Sequence, residues 1–154
     1  MSFAATADRL DPKYWMAGTD AEESRILHTM MRIRDPDASL HFYVDSLGMK
    51  LVHRYEIESR RLSAYFLSFD AESRDGFLEL AHYWDGDQAY SHGSGYGHVA
   101  IGVPDFGATV ARLEAMGYES VQRPYILFEN GPYLAMVKDP DGYSVEIIQA
   151  NRNG

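Results

Sequence analysis

The sequence contains no cysteine and comparatively few basic residues. Of its 154 residues, 14 are Lys or Arg and 23 are Asp or Glu, so the formal net charge is -9. A chain without cysteine has no disulfide framework, no thiolate nucleophile and no cysteine-rich zinc site, so metal or acid–base chemistry must come from His, Asp and Glu. The acidic balance argues against nucleic-acid binding, because contacts with phosphates require Lys and Arg.

Long apolar runs are also missing. A membrane-spanning helix needs about 20 mainly apolar residues, and a signal peptide needs an apolar core of about 7–15 residues. The sequence contains neither pattern, so we expect a cytoplasmic protein that does not bind a membrane. Its length is that of one globular domain able to bury its own core.

The two ends of the chain show no sustained periodicity. Residues 1–24 are rich in Ala, Asp and Thr, with one aromatic patch at Tyr14 and Trp15. We interpret this segment as an N-terminal arm outside the core and residues 151–154 as a C-terminal tail. Residues 25–150 are then expected to form a single domain.

The first half of this domain has a clear pattern of elements. Residues 26–34 alternate with the period of a strand. Asp35 followed by Pro36 is a typical helix start, and Gly48 is a typical helix end. Strand-like runs follow near residues 49–57, 61–69 and 76–84, so the first half is predicted to be βαβββ.

The second half repeats this order from Gly97 onward. Asp35 lies seven positions after His28, and Asp105 lies seven positions after His98. A helix ending near Gly117 is expected next. Strands near 118–122, 132–138 and 143–149 complete the repeat. We therefore predict an α+β fold made of two tandem βαβββ modules, residues 25–85 and 95–150.

Each module places a histidine in its first strand and a glutamate in its last. The pairs are His28 with Glu79 and His98 with Glu146, at intervals of 51 and 48 residues. A carboxylate within an apolar strand is costly unless it is compensated. Two imidazoles and two carboxylates suit a divalent first-row metal and leave coordination positions open for substrate. The duplication thus predicts a catalytic metal site, although any one of these residues taken alone fits a structural role.

The remaining histidines have no partner in the repeat. They are expected at the surface and are His41, His53, His82 and His92.

With these residues in place, the sequence resembles glyoxalase I (lactoylglutathione lyase) of the vicinal oxygen chelate superfamily. The resemblance covers about residues 25–150. It rests on LHTMMRIRDPDASLHFYVDSLGMKLV, LEL around Glu79, YGHVAIGVPD around His98 and DPDGYSVEII around Glu146. It implies two modules with curved mixed sheets, the four residues above as metal ligands, and Arg32 as the arginine that contacts the glutathione carboxylate.

The resemblance also implies an activity and an assembly. The activity is metal-dependent isomerisation of the hemithioacetal of methylglyoxal and glutathione to S-lactoylglutathione through an enediolate. By resemblance Glu146 is the principal base, and Glu79 is the second ligand and candidate reprotonating group. Ni²⁺ or Co²⁺ is favoured, with Zn²⁺ as the alternative. The family implies a homodimer whose site joins one chain's first pair of ligands to the partner's second pair.

Two departures concern recognition of the thiol. The family commonly has asparagine four residues after the second ligand, where this chain has Tyr83. It commonly has a basic residue in the loop before the last hairpin, where this chain has Arg123 and then only Glu129 as a charge. An anionic thiol needs local cations in a chain of this net charge. The predicted substrate-binding residues are therefore Arg32, Tyr83 and Arg123, with Arg54 as a further candidate.

The departures leave two other functions open. The chain could be another proton-transfer enzyme of the same superfamily, either epimerase-like or using a different thiol. It could also be a metal-free protein that binds a small molecule.

Overall fold

The computed structural model describes residues 24–70, 75–86 and 88–150. The arm predicted for residues 1–24, with Tyr14 and Trp15, lies outside these ranges except for Ser24. The predicted tail at 151–154 lies outside them as well, so both stay predictions. Among the helices in the described ranges, none has the length and apolar character needed to cross a membrane.

The first module builds a four-stranded mixed sheet in the order β1-β4-β3-β2. Strands β1 and β4 are parallel, and the other neighbouring pairs are antiparallel. The strands are β1 (His28–Arg32), β2 (Lys50–Ile57), β3 (Leu62–Ser68) and β4 (Phe77–Tyr83).

The second module repeats this topology. Its sheet has the order β5-β8-β7-β6, with β5 parallel to β8. The strands are β5 (Val99–Val103), β6 (Tyr125–Ile126), β7 (Tyr133–Lys138) and β8 (Ser144–Gln149). The prediction of two tandem βαβββ modules is confirmed.

Helices follow the first strand of each module, as predicted. Helix α1 (Pro36–Leu40) continues into a π-helical segment, His41–Ser46, and a short 3-10 turn, Glu58–Arg60, precedes β3. Helix α2 (Phe106–Ala115) is capped by Asp105, whose side chain accepts a hydrogen bond from the Ala108 N–H at 2.9 Å. This cap satisfies one of the unpaired donors at the helix start.

One predicted strand is wrong. Residues 118–122 do not form a strand, and β6 is a two-residue strand farther along. The N–H of Tyr118 instead donates to the Leu113 carbonyl at 2.8 Å, which completes the end of α2. Pro124 has no N–H to donate to a ladder, so regular pairing with β7 begins only after it.

The described residues divide into two compact units that differ from the sequence modules in one respect. The first unit holds residues up to Pro36 and Gly48–Gln88, and the second holds Asp37–Leu47 and the residues from Ala89 onward. The first module's helical segment therefore belongs to the second unit. Within that unit, Arg112 Nε donates to the Ser46 carbonyl at 2.7 Å, and the Phe42 ring meets Tyr118 edge-on.

A buried carboxylate ties this helical segment to the turn between β7 and β8. The Tyr43 hydroxyl donates to Asp139 Oδ2 at 2.7 Å, and the N–H groups of Asp141 and Tyr143 donate to Asp139 Oδ1 at 2.9 Å. Burial raises the pKa of Asp139 above its ordinary value, although these hydrogen bonds oppose the shift. Burial and the Asp139 charge raise the pKa of Tyr43 well above its ordinary value.

The first unit has an aromatic cluster on one face of its sheet. Tyr55, Ala64, Phe66 and Phe77 are buried together there. The Phe66 ring meets Tyr55 and Phe77 edge-on, with centroid separations of 5.4 and 5.7 Å. These are favourable aromatic geometries, so the rings pack firmly against one another on this face of the sheet.

Candidate active site

The first predicted pair lies on adjacent parallel strands. His28 is in register with Phe77, and Met30 is in register with Glu79, so His28 and Glu79 are diagonal neighbours on one face. His28 Nε2 lies 3.2 Å from Glu79 Oε2. Their side chains are 21% and 11% exposed. The sheet register therefore brings together two residues that lie 51 positions apart in sequence.

The second pair has the same arrangement in the second sheet. His98 directly precedes β5, and Ala100 is in register with Glu146 on β8. His98 Nε2 lies 3.5 Å from Glu146 Oε1, and the side chains are 43% and 14% exposed. The second histidine is thus the more accessible of the two.

Phe66 supports the first pair and was not singled out from the sequence as a site residue. It lies opposite Glu79 in the β3–β4 register, and its ring meets His28 edge-on at a centroid distance of 5.5 Å. Every residue of β3 is buried. The sequence therefore gives no alternation to mark this face, and only the hairpin register across from Glu79 could have indicated Phe66.

Burial of the Glu79 carboxylate disfavours its charged form. Burial raises the pKa of Glu79, and the nearby His28 opposes this shift. A buried carboxylate is stabilised by a nearby positive charge. The environment of Glu79 is consistent with a cation beside it.

The residues present fit a divalent metal by their chemistry. Each pair offers one imidazole nitrogen and one carboxylate oxygen, and such donors suit Ni²⁺, Co²⁺ or Zn²⁺. The structure brings His28 to Glu79 and His98 to Glu146. Within residues 24–70, 75–86 and 88–150, it does not gather three or more His, Asp or Glu side chains into one metal-binding group.

Arg32 and Tyr83 lie on the same face as Glu79. Arg32 is in register with Ala81, which shares its strand face with Glu79 and Tyr83. The Arg32 guanidinium carbon is 5.2 Å from the centroid of the Tyr83 ring, within the range of a cation–π contact. These two predicted substrate-binding residues are therefore neighbours.

The other two arginines are placed differently. Arg54 is in register with Tyr65, on the opposite face of the sheet from Glu79. It is paired with Glu56, and its guanidinium lies 5.4 Å from the Tyr65 ring centroid. Arg123 is exposed, two residues before β6. The structure thus separates Arg54 from the face that carries the first His–Glu pair.

The expectation that the unrepeated histidines lie at the surface holds for His41 alone. His53, His82 and His92 are half-buried. The His53 ring packs on Tyr55 with centroids 4.1 Å apart, and the His92 ring stacks on Tyr143 at 4.0 Å. Contact with a neighbouring aromatic ring partly shields two of these imidazoles, His53 and His92, from water.

Two sheets of identical topology, each with a His–Glu pair at equivalent positions, define a duplicated βαβββ protein of the α+β class. The chain belongs to the Glyoxalase/Bleomycin resistance protein/Dioxygenase superfamily, whose family model matches residues 25–147. This confirms the family predicted from the sequence.

Named relatives make the similarity more specific. The chain is 40% identical over 125 residues to a probable lactoylglutathione lyase of Vibrio cholerae, covering 81% of this chain and 90% of the relative. It is 38% identical over 125 residues to the lactoylglutathione lyase of Haemophilus influenzae, covering 81% and 92%. Among solved structures, it resembles the trypanothione-dependent glyoxalase I of Leishmania major, with a TM-score of 0.71, 34% identity and coverage of 82% and 87%.

Proposed function

We propose that this chain is a lyase that isomerises the hemithioacetal of methylglyoxal and glutathione to S-lactoylglutathione. The observation that carries the proposal is the pair of His–Glu contacts at equivalent positions in two equivalent sheets. The relatives named lactoylglutathione lyase, at 38–40% identity over most of their length, support this activity.

The reaction requires a carboxylate that moves a proton between two neighbouring carbons. We assign this role to Glu146, which would take the proton from C1 of the hemithioacetal and return it to C2. His98 lies beside this carboxylate, with its Nε2 3.5 Å from Glu146 Oε1. Glu79, beside His28, would be the second carboxylate of the site.

The four donors His28, Glu79, His98 and Glu146 would hold one divalent metal. Such a metal supplies electrostatic stabilisation of negative charge on the substrate oxygens without redox chemistry. We favour Ni²⁺ or Co²⁺ over Zn²⁺ for this chain. The test is to strip the protein of metal, restore each ion separately, and follow thioester formation by its ultraviolet absorbance. Full recovery with Zn²⁺ alone would contradict the preference.

We further propose that the site is shared in a homodimer. The first pair of donors would come from one protomer and the second pair from its partner. Two inactive variants test this: one carries His28→Ala with Glu79→Gln, and the other carries His98→Ala with Glu146→Gln. Mixing and refolding them should restore about a quarter of the wild-type activity, because half of the dimers are mixed and each mixed dimer has one intact site. No recovery on mixing would show that each site is built within one chain.

A different thiol is the second candidate, and Tyr83 at the usual asparagine position favours it. The Leishmania major relative is described as trypanothione-dependent, so thiol use differs among related proteins. Assays with methylglyoxal and glutathione, trypanothione or other low-molecular-weight thiols would separate these cases. Deuterium uptake from solvent into a substrate without thioester formation would instead indicate an epimerase-like enzyme. Unchanged ligand binding in Glu79→Gln and Glu146→Gln would indicate a metal-free binding protein.

A further inference from the structure

Three aromatic rings, His92, Tyr96 and Tyr143, pack together where the segment before β5 meets the start of β8. The His92 ring stacks on the ring of the buried Tyr143, with centroids 4.0 Å apart and planes 11° apart. The Tyr96 ring meets Tyr143 edge-on at a centroid distance of 5.2 Å and His92 at 5.9 Å. Stacked and edge-on contacts between rings are favourable, so each ring helps to hold the other two.

The Tyr96 hydroxyl reaches from this group to the two strands beside the second His–Glu pair. It donates a hydrogen bond to the Ser144 carbonyl at 3.0 Å. Burial raises the pKa of Tyr96, whereas a hydrogen bond from the Val99 N–H to the same hydroxyl opposes this shift. Val99 is the first residue of β5, and Ser144 is the first residue of β8. One hydroxyl therefore bridges the two strands at the end where the histidine lies.

The first module holds its histidine in a different way. His28 is the first residue of β1 and is in register with Phe77. The Phe77 N–H donates to the carbonyl of the residue before His28 at 2.9 Å, so backbone pairing continues past this histidine. In the second module, His98 precedes β5, and register with β8 begins only at Val99. The Tyr96 bridge therefore joins the strands at the point where their regular pairing begins.

We propose that Tyr96 is a positioning residue whose hydroxyl holds His98 beside Glu146, so that both side chains bind one metal ion. This inference rests on the metal donors assigned in the proposed function. Val99 directly follows His98, and Ser144 lies two residues before Glu146. The bridge therefore fixes the backbone on both sides of the 3.5 Å contact between His98 Nε2 and Glu146 Oε1. In this role Tyr96 contacts neither metal nor substrate and acts through the histidine.

The first experiment removes only the hydroxyl. Tyr96→Phe keeps the ring beside Tyr143 and His92 but loses both hydrogen bonds of the bridge. Metal-free protein is titrated with Co²⁺, and binding is followed by visible absorption. The affinity of Tyr96→Phe for Co²⁺ should be about 10-fold lower than that of wild type, the usual scale for losing a group that orients a metal ligand. An affinity equal to that of wild type would overturn the proposal.

Thr109→Val is the matched control. It removes a hydroxyl that donates to the backbone carbonyl of Asp105 at 2.8 Å, at the start of α2. Both variants lose a hydrogen-bonded hydroxyl from the second unit, so urea denaturation should show similar losses of unfolding free energy. The Co²⁺ affinity of Thr109→Val should stay at the wild-type value. An equal fall in affinity in both variants would show a general loss of structure and contradict the proposal.

Coupling to His98 separates positioning of this residue from other effects on metal binding. In a His98→Ala background, Tyr96→Phe should lower the Co²⁺ affinity no further, because Tyr96 acts through His98. In a His28→Ala background, the effect of about 10-fold should remain in full, since His28 belongs to the first module. Equal effects in the two backgrounds, or the reverse pattern, would contradict the proposal.

Amide hydrogen exchange tests the bridge in metal-free protein. The Val99 N–H should exchange roughly 5- to 10-fold faster in Tyr96→Phe than in wild type, because it loses its acceptor. The Thr29 N–H, at the equivalent position of the first module, is the internal control and should exchange at the wild-type rate. Unchanged exchange at Val99 would contradict the bridge.

The outcomes keep this inference apart from the proposed function. If wild type turns over the hemithioacetal and Tyr96→Phe binds Co²⁺ as tightly as wild type, the inference fails and the proposed function stands. If Tyr96→Phe shows the expected loss of affinity but wild type does not turn over the hemithioacetal, the proposed function fails and the inference stands. Wild-type protein that binds no Co²⁺ would overturn both.

Discussion

The two modules share one scaffold but differ in what surrounds their His–Glu pairs. Four residues after the pair, the first module has Arg32 and Tyr83, whereas the second has Gly102 and Ala150. A Cβ built on Gly102 would lie 3.6 Å from the Ala150 Cβ, an ordinary contact between two small groups. The first module thus holds a cation at the position where the second keeps only small residues.

A second difference is the residue on the neighbouring strand that lies opposite each glutamate. Glu79 lies opposite the fully buried ring of Phe66, whereas Glu146 lies opposite the half-buried Met136. The first pair is correspondingly the less exposed, with His28 at 21% against 43% for His98. The two modules therefore keep their His–Glu pairs at equivalent positions but differ in the packing and charge around them. We expect the two modules to have different roles, and the following variants test that expectation.

The largest expected effect is on kcat, and it should differ between the two glutamates. Glu146→Gln keeps the shape of the side chain but cannot accept a proton, so kcat should fall about 10²- to 10⁴-fold. Glu79→Gln should cost roughly tenfold less, because proton transfer is assigned to the second module. Thioester formation under saturating substrate measures both, and Glu114→Gln on the exposed side of α2 is the control. Equal losses would mean that the modules share proton transfer.

The next effect compares the packing opposite each glutamate. Phe66→Ala should lower the free energy of unfolding by about 3–5 kcal/mol, because it leaves a cavity among Tyr55, Phe77 and His28. Met136→Ala should cost about half as much, since Met136 is only half-buried. Urea denaturation of the two variants gives both values. If they lost the same stability, the two pairs would rest on equally firm packing.

A smaller effect on stability is expected at Asp139, a buried carboxylate of the second unit that accepts a hydrogen bond from Tyr43. Tyr43→Phe should cost about 1–3 kcal/mol of stability, because Asp139 loses a hydrogen bond from a buried donor. The pKa of Asp139 already lies above its ordinary value of 3.8, and loss of the hydroxyl raises it further. A raised acid pKa in the folded state lowers stability as pH rises through it.

The cost of Tyr43→Phe should therefore grow as pH rises through the raised pKa of Asp139, and it should shrink at lower pH, where Asp139 is protonated in the folded state. Denaturation series at several pH values measure this trend. Thr109→Val removes a hydroxyl that donates to the backbone carbonyl of Asp105, so it serves as the control with no such slope. If the stability loss of Tyr43→Phe did not vary with pH, it would not arise from the charge of Asp139.

The smallest effect is expected at the counterpart of Arg32. Gly102→Ala should change stability by no more than about 0.5–1 kcal/mol and leave KM unaltered, because the added methyl group meets only ordinary contacts. Gly76→Ala is the contrasting variant and should lose more stability. Gly76 has a φ of +83°, and a Cβ there would lie 3.0 Å from the Ile26 carbonyl oxygen. A large rise in KM for Gly102→Ala would mean that the second module also takes part in thiol recognition.

The sequence predicted the parts of this structure that depend on repetition. Strand period, the aspartate that follows the first strand of each module and the matched intervals between His and Glu are local or countable features, and they led to the two modules and the two pairs. Other features depend on which surfaces meet in three dimensions. The stacking of His92 on Tyr143 and of Arg32 on Tyr83 follows from sheet register and loop packing, which periodicity does not reveal.

The misplaced sixth strand has a related cause. Residues 118–122 contain residues that suit a strand, but the backbone of Tyr118 is already committed to the end of α2. The sequence pattern also did not predict that the first module's helical segment belongs to the second unit. The apolar face of a helix shows that the helix packs on something, but it does not identify the partner.

The hydrogen bond from Tyr43 to Asp139 has a consequence for how the chain is made. It joins residues 96 positions apart. At ordinary translation speeds of about 5–20 residues per second, the helical segment around Tyr43 leaves the ribosome on the order of 5–20 seconds before its partner turn exists. The face of that segment with Phe42 and Tyr43, which is buried in the folded protein, cannot be covered until almost the whole chain has emerged. Folding of the second unit is therefore bound to occur late in synthesis, and premature termination after residue 138 would leave an early segment with no surface to cover it.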